Sequence, residues 1–240
     1  MGRPEKPVDR TVPARAKLAD FLRGLKDAAG LTYEQMAKKT NGLPSKATLE
    51  RAASGASVPA WDTVSAFVTA TLTAELWLMS DTEPMVRARD LWIRARRVTR
   101  APYYVHKAPN PALISTPADL SRALRLQHIW AGYSSPGEME RMSEPGELPA
   151  STTRRIIKGD ILPIDPKQTI AFLKACDVLE RADLESWLDA AMRALKYDSG
   201  SRGMHISRWS RAKDLLPQEE EERFDELFAY REKKERKRAA

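Results

Sequence analysis

Apolar side chains near the start of the chain recur at three- and four-residue steps, the spacing of one face of an α-helix. The first such stripe runs from Ala14 to Ala29 and consists of Leu18, Phe21, Leu22 and Leu25. No stretch of alternating β-branched and aromatic residues is long enough to predict a strand. The pattern therefore predicts an all-α protein.

Two short helices are predicted after this stripe. Residues 32–35 (TYEQ) have the order of a capping box, in which a hydroxyl and a side-chain amide satisfy the free N–H groups of a helix start. The second helix is expected to end at the turn signal of residues 41–42 (NG). Ser45 is a natural N-cap for a third helix that ends at the next glycine, with Leu49 and Ala52 directed inward.

Two longer helices complete this first predicted unit. The fourth opens at Pro59, and its apolar side consists of Trp61, Val64, Phe67, Val68 and Leu72. The fifth runs from about Pro84 to Val98 and ends in an arginine-rich stretch that includes Arg94, Arg96, Arg97 and Arg100. These arginines can form a phosphate-contacting face or one solvated side of a helix, and the sequence leaves both alternatives open.

A degenerate copy of this order follows at about residues 117–176. The segment ASTTRRIIKG (residues 150–159) stands where SKATLERAASG stood, Pro163 matches Pro59, and both units reach a helix with a central tryptophan. Thr153 takes the place of the inward Leu49 and is expected to weaken the anchor of its helix. The residues SSPG at 134–137 are predicted to replace a clean capping box.

These observations predict two tandem helical bundles with a charged helical tail. The predicted segments are a flexible arm (1–13), a first domain (14–100), a proline-containing linker (101–113), a second domain (114–197) and the tail (198–240). In the tail, Phe224, Leu227 and Phe228 form an apolar strip. That strip is consistent with docking onto a helix of a partner protein, with a homodimer contact, or with packing of the tail on itself.

The positive charge is unevenly distributed. The chain carries a net charge of +7 with an isoelectric point near 9.5. Residues 1–110 hold 18 cationic and 11 acidic side chains, whereas residues 111–196 hold 11 and 12. A basic N-terminal half favours a polyanionic partner, although a solubility charge has the same sign.

The order of elements over residues 18–71 resembles the lambda-repressor-like family, the Cro or XRE type of helix-turn-helix. The motifs that carry the resemblance are the apolar first helix, AGLTYEQMA, a turn, SKATLERAASG and a proline-led fourth helix. The resemblance implies a bundle of four or five helices whose third helix, here residues 45–54, lies in the major groove of DNA. The second unit shows the same likeness more weakly.

The resemblance also implies roles for individual residues. Base contacts are expected from Lys46, Ala47 and Arg51, with Thr48 and Glu50 reaching bases or orienting Arg51. Phosphate contacts are expected from Thr32, Gln35 and Ser45. The corresponding outward set of the second unit is Ser151, Thr152, Arg154, Arg155 and Lys158, which can serve DNA binding, dimerisation or an effector site.

The expected function is sequence-specific binding of double-stranded DNA in transcriptional regulation. The alternative is an adaptor whose helix-turn-helix units hold protein partners in an assembly or replication complex. Catalysis, a cofactor and a metal are not expected, because the three histidines lie in different segments and the single cysteine, Cys176, falls on an apolar helix face. The sequence also has no apolar stretch of membrane-spanning length and no secretory leader pattern, so a cytoplasmic location is expected.

Overall fold

The structure is a computed structural model that describes residues 5–72, 83–196, 206–214 and 216. Over these residues the regular elements are all helical, which confirms the all-α prediction. The α-helices are α1 (Pro13–Ala28), α2 (Tyr33–Lys39), α3 (Lys46–Ala52), α4 (Trp61–Thr71), α5 (Glu83–Arg100), α6 (Pro117–Trp130), α7 (Pro136–Arg141), α8 (Ala150–Lys158), α9 (Pro166–Ala175), α10 (Arg181–Leu195) and α11 (Ile206–Asp214). A short 3₁₀ helix spans Pro111–Leu113.

The chain divides into two units. The N-terminal unit is Met1–Tyr104 with Ala131–Tyr133, and the C-terminal unit is Val105–Trp130 with Ser134–Ala240. None of the helices in the described ranges is long and apolar enough to cross a membrane.

In the N-terminal unit, the first, fourth and fifth helices enclose the core against a compact α2–α3 pair. Helix α5 packs on α1 and α4, and helices α2, α3 and α4 pack on one another. The largest side chains that lie fully inside are Leu18, Leu22, Met36, Leu49 and Phe67. The central tryptophan of α5, Trp92, is buried, and its indole N–H donates to the Pro59 carbonyl at 2.8 Å. The third helix is thus part of the core and not an appendage.

The predicted caps of this unit are confirmed. The Thr32 hydroxyl accepts a bond from the Gln35 N–H, and the Gln35 side chain accepts one from the Thr32 N–H, so both halves of the capping box are present. Ser45 caps α3 by accepting from the Thr48 N–H. These bonds satisfy N–H groups that lack partners within the helix, which is why the two short helices start at these residues.

The segment that the composition predicts as a flexible arm differs from that prediction. Residues 5–12 run along the bundle in the structure, and the Asp9 N–H donates to the Ser54 carbonyl at 2.8 Å. Proline and charge typically indicate a solvated chain. Here the charges have specific partners: Glu5 lies 3.0 Å from the Arg23 guanidinium, and Arg10 pairs with Asp20.

The arginines of α5 divide into two groups: Arg94 and Arg100 are exposed, whereas others contact aromatic rings of the unit. Arg96 is buried, and its guanidinium lies 4.5 Å from the centre of the Trp92 ring. Arg89 lies over Trp61 and Trp92, and Arg87 lies over Phe21. Because guanidinium groups stack well on aromatic faces, these side chains form part of the packing between α5 and the rest of the unit.

In the C-terminal unit, α10 is the central helix. It packs on α6, α9, α11 and the 3₁₀ helix, and α8 packs on α7 and α6. The central tryptophan of α10, Trp187, is buried, and Phe172 is fully buried on α9. His128 is buried, and its Nε2 lies 2.6 Å from the Ser134 carbonyl oxygen. Burial raises the pKa of the Cys176 thiol, which is fully enclosed.

Two predictions for this unit are corrected. Residues 134–137 do not replace a capping box, since Ser135 and Glu138 form one at the start of α7. The boundary at residue 197 separates α11 from the helix it packs on, because Trp209 and Leu216 are buried and the Arg181 guanidinium donates to the Lys213 carbonyl at 3.1 Å. The predicted apolar strip of Phe224, Leu227 and Phe228 lies outside the described residues.

Candidate nucleic-acid interface

Helix α3 has one buried side and one side directed to solvent. Leu49 and Ala52 are 0% and 4% exposed and fix the inner side against the core. The outer side presents exposed Lys46, Ala47, Glu50 and Arg51, with Thr48 half-buried between the two sides. A short exposed helix with small and cationic side chains has the dimensions to enter the major groove, which is ~12 Å wide. All five residues expected to contact bases therefore belong to one helix, and four of them are exposed.

The side chains of this surface bond to one another. Arg51 folds back along α3, where its Nε donates to the Ala47 carbonyl at 3.3 Å and its Nη2 donates to the Thr48 hydroxyl at 3.2 Å. Lys46 Nζ lies 3.8 Å from a carboxylate oxygen of Glu34, and both of these side chains are more than half exposed. Exposed ion pairs of this kind contribute about 0–1 kcal/mol, so they release their charges readily to an anionic ligand.

The three residues expected to contact phosphate lie at the N-terminal ends of α2 and α3, and all three are exposed. Thr32 and Gln35 use a hydroxyl and an amide oxygen within the capping box. The Ser45 hydroxyl lies 3.0 Å from the Thr48 hydroxyl. Helix N-termini carry partial positive charge and favour anions, so both ends have the right polarity for phosphate.

The C-terminal end of α3 is braced from outside, which the sequence reasoning missed. The carbonyl groups that follow the helix accept three bonds: Ala53 from Arg23 Nε at 2.8 Å, Ser54 from the Asp9 N–H at 2.8 Å, and Ala56 from Arg15 Nη1 at 2.7 Å. All three donors belong to α1 or the segment before it. The position of α3 relative to α1 is thus set by bonds at its end as well as by its buried leucine.

Glu5 connects this brace to the start of α2. Its carboxylate pairs with Arg23 at 3.0 Å and with Lys26 at 3.5 Å, and it accepts a hydrogen bond from the Tyr33 phenol. Burial, followed by the bond to Glu5, raises the pKa of Tyr33 well above its usual value. Two cations spaced three residues apart on the predicted first helix, at positions 23 and 26, are the signal in the sequence that could have indicated an acidic partner.

Helix α8 of the C-terminal unit has a similar division of sides. Thr153 and Ile156 are buried, and Thr153 satisfies its hydroxyl by donating to the Pro149 carbonyl at 3.0 Å. The outward side consists of exposed Ser151, Arg154, Arg155 and Lys158 and half-buried Thr152. The carboxylate of Glu140 accepts from the Ala150 N–H at 3.1 Å, which places negative charge at the start of this helix.

Comparison with known proteins finds one family. Residues 17–75 match the model of the helix-turn-helix domain, a span that begins within α1 and includes α2, α3 and α4. No curated protein and no solved structure matches the chain. The helix-turn-helix assignment applies to these residues and leaves the C-terminal unit unassigned.

Proposed function

We propose that the protein binds double-stranded DNA sequence-specifically as a transcriptional regulator, with α3 in the major groove. The observation that carries the proposal is the outer side of α3, where Lys46 and Arg51 are exposed on a helix whose inner side is locked by Leu49. The helix-turn-helix match over residues 17–75 supports it. The alternation of AGLTYEQMA, a turn and SKATLERAASG supports the XRE type within that class.

In this proposal the charged and the small side chains make different contacts with DNA. Lys46 and Arg51 donate to guanine O6 and N7, and the Ala47 methyl contacts a thymine methyl. Thr48 orients Arg51, as its bond to the guanidinium suggests. Thr32, Gln35 and Ser45 approach phosphates, which fix the register of the helix without reading sequence.

We further propose that the C-terminal unit is a degenerate copy of the same design. The order α6 to α10 repeats α1 to α5, and the capping box at Ser135 and Glu138 repeats that at Thr32 and Gln35. Ser151, Thr152, Arg154, Arg155 and Lys158 are then its DNA-facing residues. If both units bind one face of the duplex, their sites are spaced by about one helical turn, ~34 Å, or a multiple.

The test is a mobility-shift titration with duplexes selected from a random pool. We expect the double variant Lys46→Ala, Arg51→Ala to bind the selected duplex at least about 30-fold more weakly, because it loses two base contacts that are each worth about 1–3 kcal/mol. The matched control is Lys17→Ala, Arg94→Ala, which removes two exposed cations from α1 and α5. It should lose only the weaker, salt-dependent part of the affinity.

Equal losses in the two double variants would mean that α3 does not read bases. Absence of any shift at low salt would contradict DNA binding and favour the adaptor function. The pair Arg154→Ala, Arg155→Ala asks the same question of the C-terminal unit, and an unchanged affinity there would assign that unit a different role.

A further inference from the structure

A groove in the C-terminal unit corresponds to the place that the N-terminal segment occupies in the other unit. The groove has a volume of about 460 Å³ and runs between the start of α6 and the turn after α8. Its lining residues are Pro117, Ala118, Ser121, Arg122, Arg125 and the segment Gly159–Leu162. It lies apart from the outward side of α8.

The correspondence follows from residues that occupy equivalent positions in the two units. Buried Leu18 and Leu22 of α1 match buried Leu120 and Leu124 of α6, which places Arg125 at the position of Arg23. Gly55 and Gly159 both follow the third helix of their unit with positive φ, 77° and 87°. Each unit thus has an arginine of its first helix near the end of its third helix: Arg23 donates to the Ala53 carbonyl, and Arg125 lies against Gly159.

In the N-terminal unit this place is filled by the extended residues 5–12. A Cβ at Gly55 would lie 2.7 Å from the Asp9 carbonyl oxygen, so the segment passes directly over the glycine. Arg23 binds the same segment twice, through the Glu5 carboxylate at 3.0 Å and the Lys6 carbonyl at 2.9 Å. Gly55 and Arg23 therefore form a binding site for an extended backbone and one carboxylate.

In the C-terminal unit the preceding segment is held elsewhere. The Arg193 guanidinium on α10 donates to the Pro111 and Ile114 carbonyls, at 2.8 Å and 3.3 Å, and draws residues 111–114 onto that helix. The groove is then lined at Gly159 by Arg125, whose Cζ lies 3.3 Å from an ideal Cβ position. Within the described part of the chain, Arg125 has no carboxylate at ion-pair distance, and its Nε donates to the Ser121 carbonyl.

We propose that this groove binds an extended, carboxylate-bearing peptide of a partner protein, as the site at Arg23 and Gly55 in the N-terminal unit binds residues 5–12. The charge of the groove supports this occupant: two guanidinium groups line it against the single carboxylate of Asp160, although Arg122 also pairs with Asp119 at 3.6 Å. The N-terminal end of α6 adds partial positive charge at the same place. The proposal rests on the correspondence between the units and not on DNA binding by either.

The experiment measures fluorescence anisotropy of a labelled synthetic peptide with the sequence of residues 3–12 (RPEKPVDRTV), titrated with the full chain. We expect saturable binding that weakens about tenfold or more in Arg125→Ala, because a lost charge-assisted hydrogen bond is worth about one to two orders of magnitude in affinity. The peptide with glutamine in place of its glutamate should weaken similarly. Arg125→Lys keeps the charge without the planar fork and should give an intermediate loss, and Arg94→Ala should bind as the unchanged chain does.

Two results would overturn the proposal. One is no binding up to ~1 mM peptide, or binding that is equal in the unchanged chain and in Arg125→Ala with both folded by circular dichroism. The other is that the peptide does not bind, whereas a 20-base-pair DNA duplex binds and loses affinity in Arg125→Ala. That result would mean that the groove binds phosphate. Arg125 is not among the proposed DNA-contacting residues. A negative peptide result would therefore not affect the mobility-shift test of DNA binding by α3.

Discussion

The two units hold their third helices by different chemistry. Helix α3 is fixed by an apolar anchor, Leu49, and by external bonds at its C-terminal end. Helix α8 has a buried threonine, whose hydroxyl is satisfied locally by the Pro149 carbonyl. The difference shows that a buried position in a short helix does not require an apolar residue. A polar side chain of suitable volume also fits when its polar atoms have hydrogen-bond partners. We therefore expect Thr153 to anchor its helix better than its polarity alone predicts.

The largest expected effect comes from truncating the two anchors. Leu49→Ala should destabilise the N-terminal unit by about 2–5 kcal/mol, because it removes buried methyl groups and leaves a cavity. Thr153→Ala removes a smaller group and one hydrogen bond and should cost about 1–2 kcal/mol in the C-terminal unit. Amide hydrogen exchange, measured separately on peptides from each unit, gives the loss of unfolding free energy in both variants.

The matched control for this prediction is Leu43→Ala, which makes the same chemical change at a position that is 83% exposed. Surface changes of this kind stay within about 0.5 kcal/mol. If Leu49→Ala and Leu43→Ala shifted exchange equally, the leucine of α3 would not be the anchor, and the comparison between the units would lose its basis.

The second prediction tests the brace that only the N-terminal unit has. Gly55 and Gly146 both have positive φ, 77° and 85°, but a Cβ at Gly146 would meet no atom within 4 Å. Gly146→Ala should therefore cost about 1 kcal/mol of backbone strain, and Gly55→Ala about 2–3 kcal/mol, since it also displaces the segment at Asp9. Faster exchange of the Asp9 N–H, which donates to Ser54, should accompany the larger loss. Equal costs in the two variants would show that residues 5–12 do not pack over Gly55.

Helices with strong local signals could be predicted from the sequence. The capping residues Thr32 and Ser45 and the inward Leu49 were placed correctly, because caps and helical periodicity are encoded within a few residues. The capping box at Ser135 was missed because Pro136 and Gly137 look like a turn, although proline is favoured in the first turn of a helix.

Contacts between distant residues could not be predicted in this way. The bonds from Arg15, Arg23 and Asp9 to residues 53–56 join positions at least 30 residues apart, and nothing in the local pattern of either segment specifies the partner. The same limit applies to Trp209 on α11 and to Leu216 just after it, because their burial depends on packing against α9 and α10. The five residues expected to contact bases could be assigned to the outer side of α3 from the sequence, because helical spacing determines which side of a helix a residue occupies.

The smallest expected effect is a pH dependence confined to the N-terminal unit. The folded pKa of Tyr33 is raised above its unfolded value of about 10, so the unfolded chain loses this proton first as the pH rises. Stability from the bonded phenol is then fully present below pH 10 and is lost above it, by about 1 kcal/mol at pH 11. In the C-terminal unit Pro136, which follows the capping Ser135 as Tyr33 follows Thr32, has no ionisable group.

Tyr33→Phe isolates this contribution, because it removes the proton and leaves the ring packed against Phe67. The stability of the N-terminal unit, followed by hydrogen exchange with correction for the intrinsic rate at each pH, should fall more steeply above pH 10 in the unchanged chain than in Tyr33→Phe. The two chains share every other titrating group, including Cys176, so their difference reports the phenol alone. Parallel curves would mean that the folded structure does not raise the pKa of the Tyr33 phenol, and the link from residues 5–12 to the start of α2 would then fail. Arg23 and Asp20 would still join that segment to α1.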